Sequence, residues 1–178
     1  FKGDQTVKVR YKANGTRLQS AEVEYKFTEN TYTDSKKYVQ LRNVKVTSAS
    51  AHQSGQPAEK IIDGNLTNGY HTNYTAVIPD KHINFEFDQP RYISSMEYVF
   101  IGGNNGRLKS GEIQASLDGQ TWTTVKTFVN MDNRGLEVQE FVMDEVVEAK
   151  YIKIVATETH GNKDGEADKY LAGKEIRF

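Results

Sequence analysis

The chain of 178 residues contains no cysteine, which excludes disulfides, thiolate catalysis and cysteine-ligated zinc while leaving the compartment open. No apolar run is long enough for a transmembrane helix. The opening Phe1-Lys-Gly-Asp has neither the charged nor the apolar region of a signal peptide, so the chain is expected to be a piece of a longer polypeptide. Charge of one sign is also missing: Lys+Arg 23 against Asp+Glu 24 leaves a net charge of -1. With no global field towards nucleic acid or an anionic membrane, any binding has to be local. Catalytic and cofactor signatures are absent too. His52, His82 and His160 are scattered with no HExxH, and Gly102, Gly103 and Gly106 are not followed by the Lys-Ser/Thr of a phosphate loop. No nucleophile stands beside a base, and no pair of carboxylates is set at glycosidase separation. Sustained helical periodicity is nowhere visible.

What the chain has is many short alternating stretches separated by turn residues. Thr6-Val-Lys-Val-Arg-Tyr-Lys12 and Ala21-Glu-Val-Glu-Tyr-Lys-Phe27 read as two exposed antiparallel strands. The polar residues 29–37 then mark a module boundary. A strand over Tyr38-Val-Gln-Leu-Arg-Asn-Val-Lys-Val46 leads into small residues, and a short helical turn is expected after Pro57. Separate strands follow at Ile83-Asn-Phe-Glu-Phe87 and Met96-Glu-Tyr-Val-Phe-Ile101. Asp118-Gly119 divides Glu112-Ile-Gln-Ala-Ser-Leu117 from Thr121-Trp-Thr-Thr-Val-Lys-Thr-Phe128 and predicts a hairpin, with Trp122 in the core. Further strands are expected at Phe141-Val-Met143, Tyr151-Ile-Lys-Ile-Val155 and Glu175-Ile-Arg-Phe178, with a long polar loop over 157–169. The pattern predicts an all-β protein, an antiparallel β-sandwich with one core and a β-rich appendage.

One stretch stands apart, Lys60-Ile-Ile-Asp-Gly-Asn-Leu-Thr-Asn-Gly-Tyr-His-Thr-Asn-Tyr74. Asp63, Asn65 and Asn68 can offer oxygens to a hard cation such as calcium, and Gly64 and Gly69 permit the turns that gather them. For the loop taken by itself, an Asx-rich turn capping its own backbone is the commoner arrangement.

From Val44 to Phe178 the order of features resembles the F5/8 type C (discoidin-like) family, and within it the family 32 carbohydrate-binding modules of bacterial secreted glycoside hydrolases. The blocks that carry the resemblance are Ile62-Asp-Gly-Asn with Tyr70-His-Thr-Asn-Tyr74, Ile83-Asn-Phe-Glu-Phe87, Asn104-Asn-Gly-Arg-Leu-Lys-Ser-Gly-Glu-Ile113, Ser116-Leu-Asp-Gly-Gln-Thr-Trp122, Ala149-Lys-Tyr-Ile-Lys-Ile154 and Glu175-Ile-Arg-Phe178. The resemblance implies a jelly-roll β-sandwich of the galactose-binding-domain type over 44–178, with residues 1–43 a β-rich linker or the end of a preceding module. It implies a structural calcium on Asp63, Asn65, Asn68 (where threonine is more usual, with Thr67 as a substitute) and Glu175. It implies a shallow sugar site on His71, Tyr74 (where tryptophan is frequent), Asn104 or Asn105, and Arg107, with Tyr170 as a second aromatic wall. The function so implied is non-catalytic recognition of terminal galactose, N-acetylgalactosamine or a related glycan. Such a module would target a larger extracellular or cell-surface protein, with other modules of the same polypeptide beside it. The alternative on the same scaffold is a protein- or membrane-adhesion domain. Against membranes stand the polar loops at 65–75, 102–107 and 157–169.

Overall fold

The computed structural model describes residues 43–75, 77–100, 105–131, 138–161 and 167–178, together with the backbone of 5–9 and 23–27. The chain divides into two compact units, Phe1–Lys37 and Tyr38–Phe178. In the first, β1 (Gln5–Val9) and β2 (Val23–Phe27) pair antiparallel, with Val7 opposite Tyr25.

The second unit contains β3 (Val44–Ala49), a single 3-10 turn (Ala58–Ile61), β4 (Tyr70–His71), β5 (Lys81–Val99), β6 (Leu108–Ser116), β7 (Thr123–Phe128), β8 (Val138–Thr159), β9 (Ala172–Gly173) and β10 (Glu175–Arg177). The main sheet has six strands in the order β10-β5-β8-β6-β7, with β3 also on β5. Every pairing is antiparallel.

Its organising feature is a ribbon made of two long bent strands. β5 is 19 residues and β8 is 22. They pair in two main stretches, residues 81–86 against 151–156 and 95–99 against 138–142, with register breaks between Glu86 and Arg91 and between Ile93 and Ser95. Expected as separate strands, Ile83–Phe87 and Met96–Val99 are thus continuous, as are Phe141–Met143 and Tyr151–Val155. Pro90 falls inside the first register break, where β8 asks for no N–H donor, so the strand bends there without losing a ladder bond. Such a break turns a long ribbon back on itself and lets one chain serve both layers of a sandwich.

Aromatic contacts across the two layers close the core. Phe178, just past β10, meets Phe85 and Phe87 at ring-centroid distances of 5.3 and 5.2 Å, both edge to face. Phe128 of β7 meets Phe141 of β8 at 4.9 Å. Alternation put these rings inside: in β5 the residues at 81, 83, 85 and 87 are buried and those between them are half-buried. The protein is an all-β jelly-roll β-sandwich.

The hairpin at Asp118-Gly119 forms as the turn chemistry predicts. Gly119 sits at φ +74°, and Asp118 Oδ1 accepts the backbone N–H of Gln120 and Thr121 at 2.8 and 2.7 Å. These donors hold the carboxyl well below the usual carboxylate range. The 3-10 turn follows Pro57 as expected.

Three expectations need correction. Trp122 is half-exposed rather than core, with the Lys153 ammonium 4.0 Å above its ring; it precedes β7, an outer strand of the sheet with little above it to bury a large ring. β3 runs past Val46 to Ala49 through a bulge, while 38–42 lie outside the described residues. The polar segment after Val155 stays in β8 until Thr159, because Leu108 and Ser110 of β6 continue to pair with it.

Gly111 lies where β6, β7 and β8 are packed most tightly. A Cβ there would run into the Val155 carbonyl oxygen and lie 2.8 Å from Phe128 Cζ. Gly111→Ala is expected to destabilise the fold by about 3 kcal/mol, the upper range for an overpacked core. At Gly55 the space is open and only φ +77° opposes a side chain, so Gly55→Ala should cost about 1 kcal/mol. Chemical denaturation of the two variants checks the contrast.

Candidate functional site

Three loops meet at one end of the sandwich, and main-chain hydrogen bonds lace them together. β4 pairs with β9, His71 opposite Ala172. Just beyond, Thr72 N–H donates to Leu171 O at 2.9 Å, while Leu171 N–H donates to Thr72 Oγ1 at 3.0 Å. Ala172 N–H donates to Gly106 O at 3.0 Å, and Gly106 N–H to His160 O at 2.8 Å. Gly106 is at φ +80°, and a Cβ on it would sit 2.8 Å from the Ala172 nitrogen. Only glycine lets the loop approach β9 so closely.

On this base stand three rings. His71 and Tyr74 are edge to face at 4.4 Å, His71 and Tyr170 are 5.3 Å apart, and Tyr74 and Tyr170 are perpendicular at 6.2 Å. His71 is buried, whereas Tyr74 is 48% exposed. Both tyrosines are pinned: Tyr74 Oη donates to Gln56 Oε1 at 2.8 Å, and Tyr170 Oη to the Tyr74 carbonyl at 3.3 Å. An exposed ring held by its hydroxyl offers an apolar face that needs no reordering when something stacks on it.

The polar groups are equally defined. His71 Nδ1–H donates to Thr72 O at 2.7 Å, which leaves Nε2 as the acceptor of the neutral ring. Asn105 Nδ2 approaches that nitrogen at 3.4 Å. Burial lowers the His71 pKa, against a smaller raising effect from the Thr72 carbonyl. Arg107 is also buried, its guanidinium carbon 4.0 Å above the centre of the Phe100 ring. Burial lowers its pKa as well, but a guanidinium keeps its charge. Contact with the Phe100 ring restrains the donor fork.

Of the residues named for a sugar site, His71, Tyr74, Asn105 and Tyr170 come together, and Arg107 lies beside them on the Gly106 loop. Asn104 lies outside the described residues. Two contributors escaped the sequence reading, Gln56 and Thr72. Gln56 orients the Tyr74 hydroxyl, and Thr72 holds the Tyr170 loop against β4. Neither role has a local signal, because each depends on a partner far along the chain.

The Asx-rich loop forms a second cluster. Asp63 Oδ1 accepts the Asn65 N–H at 2.8 Å and Oδ2 accepts Asn68 Nδ2 at 2.9 Å. Asn65 Oδ1 accepts both the N–H and the hydroxyl of Thr67, at 3.0 and 2.7 Å. These are the self-capping turns the sequence allows. Glu175, buried in β10, accepts the Gly64 N–H on Oε2 at 3.1 Å, across 111 residues. Asn68 Oδ1 is buried with no hydrogen-bond donor among the described residues. Among those residues no group of three or more His, Cys, Asp or Glu side chains could hold a metal. An ion here would therefore rest on two carboxylates, Asp63 and Glu175, with amide and main-chain oxygens completing the set. Calcium accepts such a mixture.

The model of the F5/8 type C domain matches residues 43–167. The chain belongs to the F5/8 type C family. Solved structures share the fold of this F5/8 type C domain. A family 32 carbohydrate-binding module of a family 31 glycoside hydrolase from Clostridium perfringens is 26% identical, with a TM-score of 0.64 over 78% of this chain and 94% of its own. A family 32 module of a family 89 glycoside hydrolase from the same organism, in complex with GalNAc-β-1,3-galactose, is 23% identical with a TM-score of 0.64, covering 76% and 94%. The C. perfringens NanJ module in complex with galactose is 24% identical with a TM-score of 0.63, covering 75% and 91%.

Because the folded domain favours neutral His71, this residue contributes stability that is present above the unfolded-state pKa of about 6.5 and lost as pH falls through the lower folded value. NMR titration of the His71 ring should give a midpoint below that reference. Thermal stability should fall over the same window, and His71→Gln should flatten that part of the profile.

Proposed function

We propose that this F5/8 type C domain is a non-catalytic carbohydrate-binding module for terminal galactose, N-acetylgalactosamine or a related glycan. Its part is to target a larger extracellular or cell-surface protein to that sugar. The observation that carries the reading is the exposed face of Tyr74, braced by His71, Tyr170 and Gln56, beside a histidine acceptor and a stacked arginine donor. A pyranose with an apolar face and directional hydroxyls matches that combination. The ligands in the NanJ and family 89 module structures, galactose and GalNAc-β-1,3-galactose, support the same class.

Calcium is part of the proposal. Asp63, Asn65, Asn68 and Glu175 would hold it, and the buried Asn68 Oδ1 is an acceptor that such an ion would satisfy. Its role is structural, joining the first long loop to the last strand. Calcium should therefore raise the melting temperature and a chelator lower it, since the unfolded chain lacks the site. Calorimetry in both conditions checks this, and Glu175→Ala should remove most of the difference.

Binding to a monosaccharide should be weak, with a dissociation constant of roughly 0.1–1 mM, because a shallow site leaves several hydroxyls in water. In titration calorimetry Tyr74→Phe should retain most of the affinity, and Tyr74→Ala should lose about 1 kcal/mol or more. Arg107→Lys should fail nearly as badly as Arg107→Ala, since a flexible ammonium cannot reproduce the planar fork. Undiminished binding by Arg107→Ala would place the sugar elsewhere. The adhesion alternative rests on Leu66 and Val77, exposed at 43% and 63% beside these loops. Clear binding to anionic liposomes with no heat from any neutral sugar would favour it.

A further inference from the structure

Next to the Tyr74 platform lies a cleft of about 170 Å³ lined by Gly55, Gln56, Lys60, Thr67, Asn68, Gly69 and Lys174. Gln56 is shared, since this lining residue also accepts the Tyr74 hydroxyl at 2.8 Å on its side chain. The two features are thus one side chain apart. Both lysines are half-buried. Lys60 spends one donor on the Gly55 carbonyl at 2.7 Å, and among the described residues neither lysine has a carboxylate within ion-pair reach. Both oxygens of Asp63 accept N–H donors, from Asn65 and Asn68. Two lysines therefore line one concave space, with Thr67 and Asn68 on its wall.

We infer that this cleft is a subsite for the negative group, a sulfate ester or a carboxylate, of an acidic glycan whose neutral ring lies on Tyr74. The inference rests on the carbohydrate-binding reading and narrows it. The cleft has room for a sulfate or carboxylate with its attendant water, but its wall holds no aromatic ring that could seat a sugar. A charged substituent would meet two cations that have no other counter-ion among the described residues. Two partly exposed pairs of this kind act additively but weakly, so the gain is a factor of about five over the uncharged glycan, and it fades as salt screens it.

The test uses the whole chain with calcium present, and compares lactose with 3′- and 6′-sulfolactose and with 3′- and 6′-sialyllactose by titration calorimetry at low and physiological salt. At least one charged lactose should bind about five-fold tighter than lactose at low salt. The sulfated and sialylated arms distinguish the sulfate from the carboxylate source. Lys60→Gln/Lys174→Gln should abolish that advantage while leaving lactose affinity and melting temperature unchanged, and Lys60→Arg/Lys174→Arg should retain it. If no charged form gains over lactose, or if the glutamine variant keeps the gain, the subsite is refuted and the galactose platform stands. If neither lactose nor any charged form binds, or if Tyr74→Ala leaves every affinity unchanged, the carbohydrate reading itself falls.

Discussion

Thr72 and Leu171 exchange two hydrogen bonds, one main chain to main chain and one through the threonine hydroxyl. This junction is where segments a hundred residues apart in sequence become one surface. On one side of it His71 and Tyr74 follow from β4. On the other, Tyr170 precedes Leu171, and Ala172 receives the Gly106 loop with Asn105 and Arg107. Thr72 is fully buried, so its hydroxyl has no water to fall back on, and losing it would strand the Leu171 N–H in the interior. On its other side the same strand is held by the 51–56 segment, through Gln53 N–H to His71 O at 2.9 Å and Asn73 N–H to Ala51 O at 3.1 Å. The 3-10 turn and the Asx loop only set the approach to β4.

The side chains above the junction are arranged so that little has to move. Tyr74 and Tyr170 are tied through their hydroxyls, the histidine tautomer is chosen by a main-chain carbonyl, and the guanidinium lies over the Phe100 ring. Shallow sites gain little from buried area, so they depend on cutting the entropic cost of ordering their own groups. The same arrangement gives directionality. On the proposed function, the Nε2 acceptor would read a hydroxyl proton and the guanidinium would read hydroxyl oxygens, so that hydrogen bonds made or left unmade would distinguish one hydroxyl orientation from its epimer.

Local patterns in the sequence carried much of the fold and only part of the site. The Asp118-Gly119 hairpin, the alternation that buries Phe85 and Phe87, and the turn after Pro57 depend on neighbours in the chain, and all three are legible in it. The continuity of β5 through Pro90 was not, because a proline reads as a break unless one knows that the partner strand withdraws its acceptor there. Trp122 misled for a related reason: alternation tells which face a side chain takes, not whether anything covers that face. Asp63, Asn65 and Asn68 announced a polar cluster by composition, and family resemblance was needed to attach Glu175, His71 and Arg107 to a purpose. Gln56 and Thr72 left no trace at all, since a glutamine before a proline and a threonine after a histidine acquire meaning only from the tyrosine and the loop they hold.

The last strand is three residues long, yet it pairs with the far end of β5, brings the Glu175 carboxylate to Gly64 and is followed by the Phe178 ring that joins Phe85 to Phe87. During synthesis, then, β3 and most of the ribbon leave the ribosome well before the residues that close the core. At about 5–20 residues per second, the interval from β3 to Phe178 is roughly 7 to 27 seconds. From the end of β5 onward, roughly 4–16 seconds at that rate, the edge at Glu97–Val99 that β10 will pair is open to other chains. The domain's exposure to misassembly is thus a matter of timing, written into the position of its shortest outer strand.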